Sequence, residues 1–268
     1  MAVEKEYPSL LQAIGLILLY FIFQLIVGIS GGIIGGLTGL WQTELFRYLL
    51  EYYLAPGLAG LLSFLYVNKK YQLSWREVKG QNIINFKLYS VVFIAIVGVV
   101  IVNSLIINLV QYIFPLQQDF LDHLNRVYET NIILTFISLV IIFPTVEELI
   151  FRGIILRGFL TRHKPWLAIS TSAFLFAVLH LNPWQGAATF ILGLFLGWIY
   201  FKSKSLLLVI IGHGINNLIV VLSVALSEQP ATTEVEFFPI WLTVFGFALL
   251  LGGIVLFDRF IDNYQTKE

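Results

Sequence analysis

Phe143-Pro144-Thr145-Val146-Glu147-Glu148-Leu149-Ile150-Phe151-Arg152 decides how this chain is read. Two adjacent carboxylates and an arginine follow an apolar run that begins near Asn131. Apolar residues continue beyond them, so the charges fall inside a segment hydrophobic enough to cross a membrane. A charged side chain near the middle of a spanning helix costs roughly 3 kcal/mol on insertion scales, and such groups face a protein interior or a water cavity and mark function. On a helix Glu148 and Arg152 are four residues apart and pair, whereas Glu147 points about 100° away from Glu148 and stays outside that pair. The spacing predicts one carboxylate held by the arginine and one left available.

The rest of the chain agrees with a membrane setting. Of 268 residues, 58% are hydrophobic and 12% charged, with a mean hydropathy of +0.87, whereas a soluble domain carries about 25% charged residues. The formal net charge of zero argues against a nucleic-acid partner, and the absence of cysteine excludes disulfides, thiolate catalysis and cysteine-ligated metals. The first apolar run, from about Leu10, is longer than a signal-peptide core and lacks an A-x-A cleavage site, so a retained first span is expected.

Apolar segments occur at about 9–30, 45–67, 88–114, 131–151, 166–182, 186–201, 206–226 and 238–257. A span needs about 20 residues, which predicts an all-α, polytopic integral membrane protein of about eight helices enclosing an intramembrane catalytic cavity. The fifth and sixth segments are short and are candidates for half-buried or re-entrant helices. Connectors are short and no repeat is visible, so residues 1–268 read as one domain. With a cytoplasmic N-terminus, the inner segments hold Lys5, Lys69, Lys70, Arg76, Lys79, Lys87, Arg152, Arg157, Arg162, Lys164, Lys202, Lys204, Arg259 and Lys267; only Arg47 and Arg126 fall outside. That asymmetry predicts both termini in the cytoplasm, with a bacterial plasma membrane as the expected location. Gly28, Gly31, Gly32, Gly35, Gly36 and Gly39 suggest close helix packing or a flexible break. Ser74-Trp75-Arg76-Glu77 has the form of a capping box. Phe120, Leu121, Leu124, Val127 and Tyr128 recur at the spacing of an amphipathic surface helix.

Two further polar pairs interrupt apolar helices. Phe176 and His180 are four apart near the end of the fifth segment, and His213 and Asn217 share one face of the seventh. At 1.5 Å per residue, His180 lies about 21 Å from the inner end, His213 and Asn217 about 10–17 Å, and Glu147 about 24 Å from the outer end, so the groups can meet. Singly, each has a plain reading: an ion pair locking helices for Glu148 with Arg152, an interhelical hydrogen bond for His180, Asn216 or Asn217. Together they supply the parts of amide hydrolysis. Glu147 is the general base on a water that His180 helps hold, and His213 with Asn217 donate to the oxyanion. No Ser-His-Asp set and no H-E-x-x-H motif is present.

Glu147-Glu148-x-x-x-Arg152, Phe176-x-x-x-His180 and His213-x-x-x-Asn217, in that order on successive late spans, resemble the CPBP family of CAAX proteases and bacteriocin-processing enzymes, also called the Abi family. The resemblance covers about residues 131–226. It implies Glu147 as the water-activating residue, Glu148 and Arg152 as its support, His180 near the water, and His213 with Asn217 as the oxyanion site. It also implies a substrate that is a peptide or a lipidated protein C-terminus. A metal-free glutamic mechanism is the favoured expectation, with no cofactor; the alternative is a zinc held by Glu147, His180 and His213. Outside this class, the readings are a proton-coupled transporter, for which no inverted repeat is visible, and a non-catalytic immunity or scaffold protein.

Overall fold

Chain order alone carries the helices back and forth across one bundle. The computed structural model describes residues 7–116, 118, 121, 132–226 and 237–266. Its helices are α1 (Leu10–Thr38), α2 (Glu44–Tyr71), α3 (Trp75–Lys79), α4 (Phe86–Ile113), α5 (Ile133–Leu160), α6 (Pro165–Leu179), α7 (Pro183–Ser203), α8 (Leu206–Ala225) and α9 (Ile240–Gln265). Among the described residues there is no strand, only an isolated bridge between Gly80 and Ser205. All but α3 and α6 are long and apolar enough to cross a membrane, which makes the chain an all-α, multi-pass membrane protein. The segment Phe120–Tyr128 lies outside the described residues except for Leu121, which is buried.

Local chemistry sets the helix ends. Ser9 with Gln12 and Ser74 with Glu77 form reciprocal capping boxes, the second as the sequence predicts. Asn85, Asn182 and Ser205 cap α4, α7 and α8 through their side chains. Pro165 and Pro183 sit in first turns, where a missing N–H costs nothing.

Contacts between connectors gather one set of ends. The backbone of Tyr7 and Pro8 lies against Gly158, the Gln81 N–H donates to the Lys204 carbonyl, and Lys202 pairs with Asp258 and Asp262. The start of α1 and the ends of α5, α7 and α9 therefore share the end of the bundle that bears the basic connectors. Arg152 is an exception to the charge reading. It lies within α5, eight residues before Leu160, and is buried. The two short segments also differ from each other. With 15 residues, α6 reaches only about 22 Å, while α7 has full spanning length; they form an antiparallel pair turning at His180–Asn182.

Small residues permit the closest approaches. Gly31 and Gly35 receive the side chains of Leu50 and Phe46, which makes the stripe in α1 partly a packing surface, while Gly28 and Gly36 face open space. The tightest crossing is α4 on α9, where a Cβ on Gly98 would strike the backbone of Gly246 and Leu250. Backbone cannot yield as a side chain does, so Gly98→Leu is expected to destabilise the bundle by about 3 kcal/mol or more, read by thermal unfolding in detergent.

Candidate active site

A proline shapes the helix that carries the carboxylates. In α5, Phe143–Glu148 is an α-helical turn flanked by π-helical stretches at Ile137–Ile142 and Leu149–Leu156. The Phe143 N–H donates to Ser138 five residues back. The next donor in that pattern would serve Leu139, but Pro144 has no N–H. Asn217 of α8 takes its place, donating Nδ2 to the Leu139 carbonyl at 2.8 Å. One turn earlier on α8, Gly214 lies so close to the Val140 carbonyl that a Cβ would sit 2.8 Å from it. The break in α5 thus becomes the dock for α8, and the turn beyond it carries Glu147 and Glu148 to His213. Such π-helical interruptions occur frequently at functional sites.

The two glutamates then part company. Glu148 is fully buried and its Oε1 accepts from Arg152 Nη1 at 2.8 Å. The same oxygen accepts from His213 Nδ1 at 2.8 Å, so Nδ1 carries the hydrogen and Nε2 faces the other way. Arg152 is fixed twice more. Its Nη2 donates to the Gly193 carbonyl at 3.1 Å, and its guanidinium lies 4.9 Å from the Phe176 ring centroid. Glu147 takes no part in this lock. Its side chain keeps 16% of its exposure, and Oε2 lies 3.7 Å from His213 Nε2, beyond a direct hydrogen bond but within the span of a shared small molecule.

Phe176 is the pillar of the site. Fully buried, its ring meets His180 edge-on at 5.1 Å, His213 at 5.8 Å and Phe151 at 5.0 Å between centroids. His180 closes α6, with Nδ1 bonded to the Phe176 carbonyl at 3.0 Å, which leaves Nε2 as its free nitrogen. Both imidazoles lie within electrostatic reach of the Glu147 carboxylate. The structure therefore gathers Arg152, His180 and His213 around one ring, with Glu148 bonded to Arg152 and His213, Glu147 beside His213, and Asn217 one turn beyond on α8.

Two expected roles take a different shape. Asn217 spends one amide hydrogen on α5 and accepts from Asn216 at 3.0 Å, which leaves one hydrogen free. His213 faces Glu147 through Nε2 and Glu148 through Nδ1, between two carboxylates. Sequence reasoning passed over Pro144 and Gly193, neither of which carries a reactive group; Pro144 within an apolar helix was the available signal. As to zinc, among the described residues no group of three or more His, Cys, Asp or Glu side chains is disposed to hold a metal ion.

Searches of curated proteins and of solved structures found no match to the chain. A scan of family models found one, at residues 129–219, described as type II CAAX prenyl endopeptidase Rce1-like. That segment holds every group of the site just built, from Ser138 to Asn217, and over those residues the chain is similar to the CPBP/CAAX protease family.

Proposed function

We propose that this protein is an intramembrane endopeptidase that hydrolyses a peptide bond with a water activated by Glu147. The observation that supports it most is the division of labour between neighbours: Glu148 is locked by Arg152 and His213, and Glu147 is left facing an imidazole nitrogen. Glu147 takes a proton from water, and the hydroxide oxygen bonds to the scissile carbonyl carbon. The protonated Glu147 then returns that proton to the amide nitrogen as the C–N bond breaks. His180 Nε2 is the second holder of the water. His213, once it carries a second hydrogen on Nε2, and the remaining Asn217 hydrogen are the donor set for the oxyanion, a contribution of about 3 kcal/mol per donor. Glu148 and Arg152 act by fixing the tautomer and angle of His213.

The basic end of the bundle faces the cytoplasm by the positive-inside rule, so the substrate is a membrane-bound peptide or lipidated protein C-terminus approaching from that side. A library of fluorogenic peptides, with and without a C-terminal lipid, offered to purified protein in vesicles tests this. Cleavage is expected, and its rate is expected to stay within about twofold after exhaustive chelation, because no step passes through a metal. No cleavage of any peptide would sink the proposal; activity lost on stripping and restored by zinc would sink the metal-free route.

A further inference from the structure

We propose that the Tyr20 hydroxyl of α1, held by Gln24, donates a hydrogen bond to the scissile carbonyl in front of Glu147. The assignment rests on the peptidase reading and adds a residue from outside the segment that matches the family model. Most of α1 is lipid-facing, but Tyr20 is 5% exposed while its neighbours Phe21 and Ile22 are 38% and 51% exposed. One aromatic side chain of this helix is thus turned into the protein.

Depth places it at the site. Tyr7 and Pro8 lie against Gly158, which sets the register of α1 on the end of α5. From Leu10 to Tyr20 is about 15 Å of helix rise, and from Gly158 back to Glu147 about 16 Å. The two side chains therefore lie at nearly the same level. Between their helices runs α2, whose Gly60 receives Val146, the residue beside Glu147, and Tyr20 and Val146 belong to one buried cluster. Tyr20 is accordingly within electrostatic reach of Glu147.

Hydrogen-bond inventory says what the hydroxyl can do. It accepts from Gln24 Nε2 at 2.9 Å, so a lone pair is occupied and its own hydrogen is directed elsewhere. Among the described residues that hydrogen has no acceptor. Buried tyrosine hydroxyls ordinarily find one, and beside a carboxylate that activates water the acceptor that arrives is the substrate carbonyl. The need is real, since Asn217 has one hydrogen already given to Leu139 and His213 is shared with two glutamates.

The test compares wild type, Glu147→Gln and Tyr20→Phe in the same vesicles on the best peptide. Tyr20→Phe keeps the ring and loses only the hydroxyl. It is expected to lower kcat about 100-fold with KM and unfolding temperature unchanged, the pattern of a contact made in the transition state. Wild-type kcat in Tyr20→Phe, with Glu147→Gln inactive, overturns the Tyr20 role and leaves the peptidase standing. A raised KM alone, or a fall in kcat that tracks a lowered unfolding temperature, overturns it as well. An inactive wild type overturns both readings.

Discussion

Glu147→Gln is expected to abolish peptide-bond cleavage, by a factor of about 10³ or more, in protein whose unfolding temperature matches wild type. The substitution keeps the volume and the polar character of the side chain and removes only its basicity. Among the described residues Glu147 has no hydrogen bond or short ion pair in the lock and approaches His213 Nε2 at 3.7 Å, so little stability depends on it. General-base catalysis contributes about 10²–10⁴-fold, and an amide side chain cannot take the proton that hydroxide formation releases. Glu148→Gln provides the internal contrast. It leaves the base in place but removes a buried carboxylate that two donors share, so that variant loses stability along with activity. A proton-coupled transporter or a scaffold would show no cleavage in the wild type, which makes the comparison one between classes of function as well as between residues.

The frame of the protein was legible because a bilayer imposes a length and a charge rule. Segments at 9–30, 45–67, 88–114 and 238–257 read as spans and appear as α1, α2, α4 and α9, with α1 and α9 each ending later, at Thr38 and Gln265. Among the short ones, α6 fell below spanning length and α7 did not, a difference that hydropathy blurs because the break lies in a turn of three residues around Leu181, where φ is positive. The Glu148–Arg152 pair followed from four-residue spacing alone. What spacing could not give was how α5 meets α8. A π-helical turn leaves no mark on an apolar run, and the partner of the Leu139 carbonyl lies 78 residues away on Asn217. Likewise, the reach of His213 to Glu148 crosses 65 residues. Tyr20 sits in a long apolar helix with no motif around it, and only its burial and depth distinguish it.

Arg152→Met is expected to cost about 3–5 kcal/mol of stability, because it leaves a fully buried carboxylate without its cation. The arginine is held by Glu148, by the Gly193 carbonyl and by the face of Phe176. Arg152→Lys keeps the charge but lacks the fork that reaches both partners, and should recover only part of the loss. The informative variant is the double one, Glu148→Gln with Arg152→Met. A buried ion pair replaced whole by groups of similar size is often neutral in stability, so unfolding in detergent should return close to the wild-type midpoint. Activity should not return with it. A glutamine amide at position 148 can either accept from or donate to Nδ1 of His213, so the ring hydrogen is no longer fixed there and Nε2 no longer faces Glu147 in a set tautomer. Stability recovered without turnover would identify the pair as an orienting device for His213. Recovery of both would mean that the pair serves the fold alone and that the imidazole orients itself.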